Sequence, residues 1–137
     1  MRQPQIVYDV QLWPADNPGT RLMAALTYSV ADPYAVRLAF FKGHRETVSY
    51  TFSRDVLAAG LHGPAGMGDM TVAPHEELPQ HYLLITLRPK YGYPFEVYAE
   101  REIIADFVTQ VFRQVPLGAE HVDVDAAIAA IFAKVTP

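Results

Sequence analysis

Five histidines, His44, His62, His75, His81 and His121, are the first side chains in this sequence that could hold a metal or move a proton. None stands in a His-x-x-x-His or His-Glu-x-x-His spacing, which would bring two ligands to one helix face. They fall in or beside turns, where surface histidines are common. His75 with Glu76 and Glu77 is the densest group, and a solvated acidic turn explains it. Ser29, Ser49 and Ser53 have no histidine at a recognisable offset and no nucleophile-elbow glycines, so hydrolase chemistry has no support. Residues 60–68 contain Gly60, Gly63, Gly66 and Gly68. That loop follows a helix, opens a strand and lacks the Gly-Lys-Ser/Thr ending that cradles phosphates, so it reads as a structural turn. Cysteine is absent, which removes disulfides, thiolate nucleophiles and cysteine-ligated zinc together. The tyrosines and Phe95 between Tyr82 and Tyr98, with Arg88 and Lys90, could stack bases on a sheet face. Glu96 and Glu100 oppose that, and strands favour aromatic residues in any case. The inventory predicts no catalytic residue, no metal and no cofactor: the chain is expected not to be an enzyme.

The background that must position these residues is a chain of 137 residues, half of them apolar and 19% charged. This length suits a single domain, residues 1–137, with one core. No apolar run is long enough to span a bilayer and no basic-then-apolar leader is visible, so a soluble, cytoplasmic protein is expected. Lysines and arginines number 11 against 15 acids, and the net charge of −4 arises entirely beyond Lys90. An acidic chain without a basic run lacks the electrostatic term behind most non-specific nucleic-acid affinity, which disfavours such a partner.

Alternating apolar residues predict strands at 6–13, 21–30, 34–41, 46–52, 69–73, 82–88 and 95–99. In the first, Ile6, Tyr8, Val10 and Leu12 share the inner face. The second is apolar on both faces, through Met23 and Ala25, and so predicts a cover on the outer side as well. Residues 42–45 make a tight hairpin around Gly43. Leu83, Leu84 and Ile85 make the sixth strand apolar on both faces, which predicts a central place in the sheet. Ser53 is placed to cap a short helix, with Asp55 complementing its dipole and Gly60, Gly63 and Pro64 ending it. A second helix, 100–114, carries a broad apolar stripe from Ile103 to Phe112, wider than one sheet face needs. A last helix is predicted from Asp123. Four strands and a helix followed by three strands and helices read as a duplicated unit. The class is α+β, with two related halves of curved antiparallel sheet and helices packed on a barrel-like core. The surplus of apolar surface predicts a homo-oligomer, with a trimer favoured.

Several stretches resemble one family. They are ADPYAV at 31–36, ETV at 46–48, FSRDVLAAGL at 52–61 with HGPAGMGDMTV to Val72, and PLGAEH with DVD between Pro116 and Asp125. In this order they are similar to the SsgA-like sporulation and cell-division regulators of actinomycetes. Residues 11–20 and 88–100 depart from the pattern, the latter by being more aromatic. The resemblance implies a fold like the whirly single-stranded nucleic-acid binders. It also implies a non-enzymatic role close to the family's septum-site member, which recruits the tubulin-like protein FtsZ to division septa with a second SsgA-like protein. Arg54, Asp55 and His62, expected on the exposed side of the first helix, are the candidate partner-binding residues. A single-stranded nucleic-acid binder is the alternative.

Overall fold

A computed structural model describes residues 5–120. Their elements are β1 (Gln5–Pro14), β2 (Leu22–Ser29), β3 (Asp32–Lys42), β4 (Arg45–Ser53), α1 (Arg54–Gly60), β5 (Met70–Pro74), β6 (Tyr82–Leu87), β7 (Phe95–Glu100) and α2 (Arg101–Gln114). The helix predicted from Asp123 lies outside the described residues.

All seven strands join one antiparallel sheet in the order β4-β3-β2-β1-β7-β6-β5. Strands β1 to β4 form one meander and β5 to β7 another, as short connections between successive strands favour. The two halves fuse where Leu12, Trp13 and Pro14 of β1 pair with Ala99, Tyr98 and Val97 of β7. Register shifts at Tyr28/Ser29 and Phe40/Phe41 interrupt the ladders of β3. Such irregularities add bend and twist, and the sheet curls into a half-barrel around the two helices.

The period of two is obeyed on the inner face. Val10 and Leu12, Leu26 and Tyr28, Val36 and Leu38, Leu83 and Ile85, and Val97 and Ala99 are all buried there. From α2, Ile104, Phe107 and Val111 pack on them, and from α1, Leu57 does. Each large apolar side chain buried in this way contributes about 1.5–3 kcal/mol, and that sum holds the helices in the curl. Gly60 lets α1 lie on β5: a Cβ there would stand 2.4 Å from Val72 Cγ1. Gly66 has φ +101°, and a Cβ would meet the Met70 carbonyl oxygen at 2.4 Å. The glycine loop thus serves close packing and a left-handed turn.

One sequence expectation needs correction. Strand β6 is one place from the edge, between β7 and β5, and β1 is the central strand. Its double-sided apolar character arises because Leu83, Ile85 and Leu87 are inside while Leu84 is only half-buried outside. On the outer face of β2, Ala25 is buried among its neighbours whereas Met23 is 47% exposed. Small side chains in a tight ladder are shielded by the strands beside them, while Met23 stays open to solvent in the single chain.

Candidate functional site

Helix α1 begins as its sequence dictates. Ser53 is the N-cap, and its Oγ accepts a hydrogen bond from the Asp55 N–H at 3.1 Å. Asp55 lies in the first turn, at the positive end of the helix dipole. Arg54, Leu57 and Leu61 follow at i, i+3 and i+7, one stripe of a helical surface, and all three are buried.

Arg54 therefore overturns the expectation that it is exposed: its residual exposure is 1%. Nη1 donates to the Val115 carbonyl oxygen at 2.5 Å and to the Tyr28 hydroxyl at 3.3 Å. Nη2 donates to Glu120 Oε1 at 2.6 Å. The guanidinium carbon lies 4.2 Å from the centre of the Phe112 ring and 5.9 Å from that of Tyr28. A planar cation with forked donors suits this mixture of carboxylate, carbonyl and ring faces, where lysine would not. Only Nε lacks a partner among the described residues. The Tyr28 hydroxyl donates onward to the Pro33 carbonyl oxygen at 2.9 Å. Burial pushes the Tyr28 phenol above its usual range, against the opposing pull of Arg54. Glu120 is held below the usual carboxylate range by its own backbone N–H and by Arg54. One side chain thus ties α1, β2, the end of α2 and the segment beyond it. Its geometry is that of a clamp within the fold.

Of the three residues proposed from sequence, Asp55 and His62 are exposed and Arg54 is not. The fold therefore separates the proposed trio between surface and core. The signal for Arg54 was present in its spacing from Leu57 and Leu61, and it is overlooked when charge alone decides which side faces water. No three His, Asp or Glu side chains converge as metal ligands among the described residues. No described helix is long and apolar enough to cross a membrane.

A second cluster occupies the outer face of the sheet. Trp13 of β1 is paired with Tyr98 of β7, and Tyr82 of β6 is paired with Glu100. With His75, Pro18 and Leu78 the three rings line a concavity of about 240 Å³. Sequence reasoning placed Tyr82 and Tyr98 in one aromatic stretch but had no means of bringing Trp13 to them.

The chain matches the family model described as "Streptomyces sporulation and cell division protein, SsgA" over residues 22–120. The chain belongs to the SsgA family. It is 34% identical over 122 residues to the sporulation-specific cell division protein SsgB of Thermobifida fusca, covering 88% of each chain. With SsgB of Streptomyces coelicolor it shares 38% identity over 113 residues, covering 81% of this chain and 82% of the relative. The crystal structure of an SsgA-like sporulation-specific cell division protein from Thermobifida fusca superposes with a TM-score of 0.79, at 31% identity over 95% of this chain and 97% of that one. The curled seven-stranded sheet with two helices is thus the SsgA-family fold. The SsgA-family match includes both the α1 clamp and the glycine loop after it.

Proposed function

We propose that this chain is a non-enzymatic cell-division protein that helps to position FtsZ at the sporulation septa of an actinomycete. The observation that carries this reading is its similarity, along most of its length, to relatives named sporulation-specific cell division proteins. In this reading it acts from the cytoplasm at the septum, with a second SsgA-like protein, as a homo-oligomer for which a trimer is the expected size. Its work is recognition, and exposed side chains carry it. On α1 these are Asp55 and His62, since Arg54 is engaged inside the fold.

The test is co-sedimentation of the full chain with polymerising FtsZ, beside a titration of labelled single-stranded DNA at two salt concentrations. Light scattering of the same preparation gives the oligomer mass. The expected result is co-sedimentation with FtsZ, reduced by the paired substitutions Asp55→Asn and His62→Glu with at most a small drop in melting temperature from the lost dipole interaction of Asp55, and no salt-sensitive DNA binding. Failure to sediment with FtsZ, together with DNA affinity that falls steeply with salt, would overturn the reading.

A further inference from the structure

We propose that the aromatic concavity on the outer face of the sheet is a binding site for a basic segment of a protein partner, with an arginine or lysine side chain held against Trp13, Tyr82 and Tyr98. The walls are set by the fold. The Trp13 and Tyr82 rings stand edge to face, 6.4 Å apart and 86° to one another. His75 lies 4.9 Å from the Tyr98 ring, centre to centre, and 6.3 Å from that of Tyr82. Its own orientation is fixed, because Nδ1 accepts the N–H groups of Glu77 and Leu78, both at 3.0 Å. The space of about 240 Å³ is the size of a single side chain rather than a cofactor.

Ring faces of this kind accept a proline, a base or a cation, and the surrounding charge selects among them. Tyr82 also lines the neighbouring concavity, of about 200 Å³, with Gln80, His81, Glu100 and Glu102. Glu100 lies opposite Tyr82 in the ladder, and Glu96 and Glu100 flank Tyr98 on the same strand face. Although Glu100 is the N-cap of α2, its carboxylate makes no capping bond. The adjacent Arg101 is turned away, its guanidinium donating to the Leu61 carbonyl oxygen. Among the described residues, no lysine or arginine lines either concavity. These carboxylates repel the phosphates of a nucleic acid and give a neutral proline no advantage, whereas they complement a guanidinium or ammonium group. The Arg54 cluster shows the same chemistry completed within the chain: a cation over aromatic rings, with a carboxylate beside it.

Trp13 is the sole tryptophan of the chain, so its emission reports on the site directly. The full chain is titrated with an acetylated peptide amide containing two adjacent arginines, and with a proline peptide of equal length. The expected result is a saturable change in emission with the arginine peptide alone. Tyr98→Leu and Glu100→Gln, each checked by melting, are expected to weaken binding about tenfold. Tyr98→Leu keeps every charge, so unchanged affinity in that variant would reduce the effect to general electrostatic attraction and overturn the proposal. Equal binding of the proline peptide, or no response to arginine, would overturn it as well. Glu100→Gln leaves the rings in place and tests the acidic side should Tyr98→Leu melt early. The titration contains no FtsZ, so its outcome is separate from that of the proposed function.

Discussion

The inner and outer faces of this sheet each carry a cluster of aromatic rings beside a carboxylate, and the two clusters differ in where the cation comes from. On the inner face Arg54 lies against Phe112 and bonds Glu120, Val115 and Tyr28. On the outer face Trp13, Tyr82 and Tyr98 adjoin Glu100, with no lysine or arginine among the described lining residues. Taking a charge out of water is costly, so a buried guanidinium persists only where a carboxylate and other acceptors meet it; Glu120, Val115 and Tyr28 take three of the five N–H donors of Arg54. Once they are used, the group is part of the fold and unavailable to a partner. Half-exposed rings carry no such obligation and remain open to a ligand. A charged residue beside aromatic rings is thus assigned to stability or to recognition by its burial and partners, not by its type.

The largest effect is expected at Arg54. Arg54→Ala leaves the Val115 carbonyl and Glu120 without their donor and empties a volume between the helices. A loss of roughly 3 kcal/mol is expected, or about 10 °C in a thermal melt followed by circular dichroism. Unchanged stability would show that the cluster is not a clamp.

Glu120→Gln sharpens the same side with a smaller effect. Because the folded protein holds this carboxyl below its usual range, ionised Glu120 stabilises the fold at neutral pH. That contribution is present above the unfolded value of about 4.3 and is lost as pH falls through the lower folded value. The variant is therefore expected to be less stable at pH 7 and to lose less stability between neutral pH and pH 3. Denaturant melts at several pH values measure both. The smallest stability change belongs to the outer face: Tyr98→Leu is expected to cost under about 1 kcal/mol, since the side chain is only half-buried, while weakening arginine-peptide binding about tenfold.

Much of the fold was legible because local rules and tertiary structure agree. The alternation of Ile6, Tyr8, Val10 and Leu12 gave β1 its inner face, Gly43 marked the β3–β4 hairpin, and Ser53 capped α1 as its type and position suggest. What was not legible depends on pairing between distant segments. The neighbours of β6 follow from the order of the whole sheet, so its apolar run was a poor guide to centrality. The burial of Arg54 was marked by its spacing from Leu57 and Leu61, but its partners, Tyr28, Phe112, Val115 and Glu120, come from three other parts of the chain and no local pattern names them. The outer pocket exists only through the β1–β7 register that brings Trp13 beside Tyr98. Residues 11–20 and 88–100, the two stretches that depart from the family pattern, meet there: the first supplies Trp13 and Pro18, and the second supplies Tyr98.

The most direct measurement is amide hydrogen exchange of the full chain, alone and with FtsZ polymers. Slower exchange is expected at surface segments, around His62 at the end of α1 or along Trp13 and residues 75–82, with no change at Val111 to Val115 beside Arg54. Exchange that slows only around Val111 to Val115, or nowhere, would contradict the assignment of recognition to the surface and of Arg54 to the fold.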